Sequence, residues 1–275
     1  MIPRKIHYCW FGGKPLLDDV KKYIAGWRKY CPDYEIIEWN EKNFDINCND
    51  YVREAYEAKK WAFVTDYVRL YALYRHGGIY MDTDVEVVRS FDDLLHCQAF
   101  MCFENDKSVS IGTLGAIKDS SLIKDFLTAY DNRHFLQSDG TYDTTTNLRI
   151  VTKILIERYG LLTNGKLQIL GDIYVYPMEY FIAKSYRLGW IQSDENTYAI
   201  HHYAGSWVSS DEKEYGKSLR RYAARYMHYM ENLAFRMAIL RVAYDEKGCM
   251  GVLGKVMNKL QRKAKCIFGG GQKFI

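Results

Sequence analysis

Two carboxylates one residue apart, Asp82 and Asp84, carry the densest chemistry in the chain. They lie in an alternating run. Ile79, Met81, Thr83, Val85 and Val87 share one face, and Tyr80, Asp82, Asp84 and Glu86 share the other. On an extended strand this parity holds the two carboxylates about 7 Å apart on one side. Such a pair repels unless positive charge stands beside it. A hard divalent cation with oxygen ligands satisfies both, and a diphosphate would complete its shell. Upstream, Asp66 and Arg69 stand at i and i+3 of a helical pattern and project from one face. Alone, an Asp-X-Asp is commonly a solvated turn and an Asp–Arg pair a weak surface contact. Here both sit in apolar sequence, and a buried strand does not carry paired acids without a partner.

The elements that must position these groups are legible around them. Trp61, Val64, Val68, Tyr71 and Tyr74 recur at helical spacing, and His76-Gly77-Gly78 closes that helix. The strand-like run Ile79 to Val88 follows. Before it, residues 2–13 read as a strand ending in Gly12-Gly13, residues 16–30 as a helix, 34–39 as a strand and 50–60 as a helix with Asp50 at its N-cap. After it come short apolar strands at 99–104 and 110–116, the latter glycine-rich and suited to close backbone approach. A helix over 120–131, a polar loop over 137–147 that is a lid candidate, a helix starting at Asn147 and a strand over 167–176 complete the pattern. The alternation predicts an α/β domain with a mainly parallel sheet and right-handed crossovers. A chain that opens on a strand and a Gly-Gly turn fits a nucleotide-binding domain.

A second chemical stretch is YAIHHYAGSW, residues 198–207. On a strand His201 and His202 point to opposite faces, so only one can meet the acids. From about residue 211 the character changes to helix rich in Tyr, Arg and Met. Between Lys247 and the end there are seven basic residues and no acid, interleaved with Val252, Leu253, Val256, Leu260, Ile267 and Phe268. That pattern reads as a basic amphipathic segment able to lie on an anionic membrane, or as a solvated terminal helix. The division expected is 1–210 for the α/β domain and 211–275 for a helical extension.

Composition bounds the rest. The 275 residues are 48% apolar, enough for one sizeable core. Aromatics are 15%, which suits a sugar-handling surface as well as core packing. A net charge of +4 is too mild to call for nucleic acid. Seven scattered cysteines without a CxxC pair read as reduced thiols. Neither a signal peptide nor an apolar run of membrane-spanning length is present, which leads us to expect a cytoplasmic protein, at most peripheral at the inner face of the plasma membrane.

The stretch TDYVRLYALYRHGGIYMDTDVEV, residues 65–87, resembles the core motif of glycosyltransferase family 32, the DXD sugar transferases of bacterial capsule and lipopolysaccharide synthesis. These are related to yeast Golgi mannosyltransferases and to clostridial toxin glucosyltransferase domains. IPRKIHYCWFGG at the N-terminus and the HH…SW element are similar to further family segments. The resemblance implies a GT-A-type, Rossmann-like nucleotide-sugar-binding domain with a C-terminal helical extension. It implies Mn²⁺ or Mg²⁺ as cofactor, held by Asp82 and Asp84 with His202 as third ligand and His201 as the substitute. A nucleotide sugar, UDP-linked by preference, is the donor. Trp10 is expected to stack on the base, the alternative being a plain core residue. Tyr80, Asn147, Ser206 and Trp207 join Asp66, Arg69 and Asp82 around the donor, and Asp66, Arg69, Asp82 and Asp84 form the catalytic group. The acceptor is a glycan or lipid-linked glycan, and the relatives retain anomeric configuration. No carboxylate stands out as a covalent nucleophile, in keeping with a front-face mechanism. Two other classes share the same acids: a metal-dependent nucleotide-sugar hydrolase, and a non-catalytic glycan-binding protein with a structural cation.

Overall fold

The computed structural model describes residues 1–185, 189–205, 210–223, 237, 239–245 and 250. Ser206, Trp207 and, Met250 apart, the basic run over 247–275 lie outside the described residues. The chain divides into two compact units. The first comprises Met1–Lys184 and Ile191–Trp207, the second Ser185–Trp190 and Val208–Ile275.

The first unit begins β1(Lys5–Cys9), α1(Asp18–Tyr30), β2(Glu35–Trp39), α2(Asp50–Glu57), α3(Trp61–His76), β3(Gly78–Met81) and β4(Val85–Val87). It continues β5(Ala99–Asn105), β6(Ser108–Ala116), α4(Ser121–Thr128), α5(Asn147–Tyr159), β7(Gln168–Leu170), β8(Ile173–Tyr176) and β9(Ala199–His201). Seven strands form one sheet in the order β2-β1-β3-β6-β5-β8-β7, and β4 pairs with β9 in a separate ribbon. The α/β expectation holds, with one correction. The sheet is mixed rather than mainly parallel: β1 runs parallel to β2 and β3, and β5 to β8, while β6 is antiparallel to both β3 and β5, and β7 to β8. The cause is local. A tight turn at Asp106-Lys107 folds β5 onto β6. Gly171, at φ 68°, folds the 167–176 stretch into a hairpin instead of one strand.

Strand alternation sorts side chains onto the two faces. Tyr80, Met101, Phe103 and Leu114 join Val64, Val68 and Leu73 of α3 and Val151 and Leu155 of α5 in one core. Ile6, Tyr8, Ile79, Met81 and Phe100 join Val20, Ile24 and Trp27 of α1 and Val85 and Val87 of β4 in the other. The Trp27 Nε1–H donates to the Val85 carbonyl at 2.8 Å, tying α1 to β4. Helix α2 is capped by Asn49, not Asp50, through a bond from the Val52 N–H.

The run Ile79–Val88 is not one strand. β3 stops at Met81, and Asp82–Asp84 form a turn in which the Val85 N–H bonds back to the Asp82 carbonyl at 3.1 Å. Two carboxylates fit no buried ladder, so the chain leaves the sheet where they occur and re-enters pairing against β9.

The α3–β3 junction needs its glycines. Gly77 has φ 63°, and a Cβ there would lie 2.6 Å from the Lys118 backbone nitrogen. His7 sits beneath this turn, fully buried. The Trp39 Nε1–H donates to its Nδ1 at 3.1 Å, so the neutral ring carries its proton on Nε2 and donates to the Gly77 carbonyl at 2.8 Å. Burial pushes the His7 pKa down to about 4. A base depressed in the folded state makes the unfolded chain the better proton binder below its ordinary pKa of 6.5. Stability is therefore expected to fall by about 3 kcal/mol as pH drops from 6.5 to 4, and His7→Gln should lack that slope. Urea midpoints of both proteins across this range check it. Parallel pH profiles would contradict it.

In the second unit, α6(Ser210–Ala223) and a helical stretch at 239–245 are described. Val242 is buried there among Trp190, Tyr215, Tyr222 and Ile239. No helix among the described residues is long and apolar enough to cross a membrane. Cys9, Cys31, Cys48, Cys97 and Cys102 are free thiols.

Candidate active site

Parallel pairing of β1 and β3, His7 against Tyr80, brings the carboxyl ends of both strands to one edge. In open α/β sheets that edge is where ligands sit. Asp82 is the first residue beyond β3, and its N–H donates to the Gly112 carbonyl of β6 at 2.8 Å.

Behind it stands a buried charge cluster. Arg69 projects from α3 with its guanidinium 3.3 Å from Asp66 and 3.2 Å from Asp82. It also donates to the Ile111 carbonyl at 3.0 Å and lies 4.6 Å over the Tyr80 ring. The planar fork suits this, since one side chain must meet two carboxylates and a carbonyl. Burial pushes the Asp66 pKa up to about 7; Arg69 opposes that shift and Asp82 adds to it. The Asn147 amide donates to Asp66 Oδ1 in a short contact, from the first turn of α5. Asn147 is thus brought to the site, acting on Asp66.

Asp84 is held from the other side. Its Oδ2 accepts the Ala204 N–H at 2.7 Å, its Oδ1 lies 3.2 Å from His201 Nε2, and its carbonyl accepts the His202 N–H at 2.9 Å. Burial works against the charged carboxyl, but the His201 hydrogen bond and charge outweigh it and bring the pKa to about 2. Burial likewise opposes the His201 cation, and Asp84 and then Asp82 raise its pKa to about 9.

Asp82, Asp84 and His201 each offer a ligand atom within 4.8 Å of the others. Metal–ligand bonds of about 2.0–2.6 Å let one ion reach all three. Two carboxylates and an imidazole suit Mn²⁺ or a similar divalent ion. Gly112 makes the approach possible, because a Cβ there would stand 2.9 Å from Asp82 Oδ2 and 3.1 Å from His201 Cε1. The glycine-rich 110–116 stretch signalled that close approach.

Two expectations need correction. His202 does not face the aspartates. Its Nε2 bonds Glu86 at 2.8 Å, Lys184 meets its Nδ1 at 3.2 Å, and Tyr23 stacks on its ring at 4.9 Å. The register of β9 on β4, Val85 against His201, turns the next histidine away from the aspartates. Tyr80 is 2% exposed, so it does not line a donor surface. Its hydroxyl donates to Asp82 Oδ1 at 2.9 Å and holds that carboxylate in place. Trp10 is half-buried, with its indole N–H donating to the Lys14 carbonyl at 2.6 Å. It lines a cavity of about 940 Å³ with Lys14, Glu38, Asn40, Lys59 and Trp61. Trp61, at the start of α3, lines the same cavity, although its helical spacing reads as core. The Tyr203 ring stacks on His201 with centroids 4.6 Å apart, and its hydroxyl donates to Glu104 Oε1 at 2.8 Å, contacts to which nothing in the sequence spacing of either residue points.

Comparison with known proteins agrees with this geometry. Residues 18–101 match the model of a glycosyltransferase sugar-binding region containing a DXD motif. Inositol phosphoceramide mannosyltransferase 3 of Schizosaccharomyces pombe is 30% identical over 125 residues, which is 42% of this chain and 34% of that protein. Subversion of eukaryotic traffic protein A of Legionella pneumophila is 27% identical over 122 residues, 34% of this chain and 19% of that one. The chain thus spans about a third or less of the length of these relatives. Among solved structures, PaToxG glycosyltransferase shows 16% identity and a TM-score of 0.47, over 58% of this chain and 70% of that one. Residues 18–101, the stretch that carries Asp66, Arg69, Asp82 and Asp84, are thus similar to a glycosyltransferase sugar-binding region containing a DXD motif.

Proposed function

We propose that the protein is a metal-dependent, retaining glycosyltransferase with a GT-A-type catalytic unit over 1–210 and an extension over 211–275. It moves a sugar from a nucleotide sugar, UDP-linked by preference, to a glycan or lipid-linked glycan in surface-polysaccharide synthesis on the cytoplasmic side of the membrane. The observation that carries this reading is the convergence of Asp82, Asp84 and His201 within 4.8 Å at the edge of a sugar-binding DXD region.

Asp82, Asp84 and His201 would hold a divalent ion, Mn²⁺ or Mg²⁺, and that ion would supply charge neutralisation and Lewis-acid stabilisation for a diphosphate leaving group. The protein's own groups do the rest. Arg69 fixes Asp82 and balances the buried acids. Tyr80 sets the Asp82 rotamer. Asp66, with a pKa near 7, offers a carboxyl that can accept or donate to a hydroxyl of the transferred sugar, and Asn147 holds its other oxygen. Trp10 and Trp61 face the cavity at the end of β1, where a nucleoside base has room and aromatic surface to stack.

A nucleotide-sugar hydrolase would use the same acids, and nucleotide release with and without acceptor separates the two. For a transferase, a glycan extract containing the acceptor is expected to raise the release rate severalfold and to gain the sugar. Release that is fast without acceptor and unchanged by it would make the protein a hydrolase.

A further inference from the structure

We propose that Glu104 and Tyr203 form a clamp that holds the His201 imidazole in the orientation cation binding needs. The proposal rests on the reading of Asp82, Asp84 and His201 as a cation site, and it concerns what keeps that site in shape.

His201 is the last residue of β9, so the ladder fixes its backbone and leaves its ring to its neighbours. Two residues on, Tyr203 has φ 57°, a left-handed conformation that a residue with a Cβ rarely adopts. The kink has a consequence. In a straight strand, side chains at i and i+2 stay about 7 Å apart. Here the Tyr203 ring folds back onto His201, with centroids 4.6 Å apart and planes inclined by 21°. The same kink delivers the Ala204 N–H to Asp84 Oδ2 at 2.7 Å. One strained residue therefore positions two members of the trio.

A stacked ring positions its partner only if it is itself fixed. The Tyr203 hydroxyl donates to Glu104 Oε1 at 2.8 Å. Glu104 lies near the end of β5, in the seven-stranded sheet, so the tether runs to the scaffold and not to the ribbon that carries His201. Stack and hydrogen bond together act on a metal-ligating histidine as outer-shell partners do, by setting ring orientation. Loss of such partners typically weakens metal binding by about 10–100-fold.

The test is Mn²⁺ binding to the full chain, read from the free-ion signal in electron paramagnetic resonance, with circular dichroism and thermal midpoints as fold controls. Tyr203→Ala and Glu104→Leu are each expected to raise the Mn²⁺ Kd by about 10-fold or more. Glu104→Gln keeps an acceptor oxygen and is expected to bind close to wild type. Tyr203→Phe keeps the stack and loses the tether, and combined with Glu104→Leu it should be no weaker than Glu104→Leu alone. If Tyr203→Ala fails to fold, Tyr203→Phe set against the two Glu104 variants decides. Folded variants that lose thermal stability but bind Mn²⁺ like wild type overturn the clamp. Equal loss in Glu104→Gln and Glu104→Leu also overturns it, since charge and not the hydrogen bond would then matter. A wild-type chain that binds no Mn²⁺ overturns the cation site itself, a failure distinct from either.

Discussion

Asp84→Asn is expected to lower metal-dependent nucleotide release by about 10³-fold or more, the scale of several kcal/mol of lost charge stabilisation in the transition state. Asp84 is chosen because both of its carboxylate oxygens are held and its charged form is favoured. Its pKa is held near 2, with an N–H on one oxygen and His201 on the other. The amide is isosteric and can still accept the Ala204 N–H, so the fold should survive. What disappears is one formal charge and one anionic ligand. Mn²⁺ affinity should fall in parallel, and titration of the ion into both proteins reads that directly. A variant that releases nucleotide at the wild-type rate would remove Asp84 from the metal site.

Arg69→Leu is expected to destabilise the fold by about 3–5 kcal/mol, the usual cost of breaking a buried ion pair from one side. The guanidinium is buried between Asp66 and Asp82 and also satisfies the Ile111 carbonyl. Leucine fills part of the volume but leaves Asp82 without its buried counter-charge, the Ile111 carbonyl without its donor, and Asp66 able to stay buried only as the neutral acid. Against a typical total of about 5–15 kcal/mol, that loss is visible as a large drop in urea midpoint. Arg69→Lys should recover only part of it, because one ammonium cannot reach both carboxylates and the carbonyl. An unchanged midpoint in Arg69→Leu would mean that the acids are solvated in the native state, contrary to the burial of Asp66 and Arg69.

The residues show why some of this was legible in the sequence and some was not. Helix α3, its Gly77 stop and the turn into β3 follow from local rules: apolar period, a left-handed closing residue and β-branched side chains. The α/β class follows from the order of such segments. The pairing partners do not. Whether Ser110–Ala116 runs parallel or antiparallel to its neighbours depends on a two-residue turn at Asp106-Lys107, a weak local signal beside the apolar pattern. The break at Asp82 was hidden by alternation. Ile79 to Val88 keeps strand parity throughout, and only the cost of placing two acids in a ladder argues for the turn.

The site divides in the same way. Asp66, Arg69, Asp82 and Asp84 lie close in sequence, and helix and strand geometry suffices to bring them together. The choice between His201 and His202 rests on the register of β9 against β4, and a slip of one residue exchanges the two faces. Nothing local sets that register. Tyr203 is similar: its role depends on a left-handed φ at a non-glycine residue, which no propensity announces. Asn147 marks the start of α5 in sequence, but its contact with Asp66 needs the tertiary packing of α5 beside β6.

The most direct test of the central claim is nucleotide release from a panel of UDP- and GDP-sugars by the wild-type chain, in Mn²⁺ and again after chelation. The account predicts release from one donor that stops when the ion is removed and returns when it is restored. Release that continues at full rate in the chelator would contradict the assignment of Asp82, Asp84 and His201 as the centre of the chemistry.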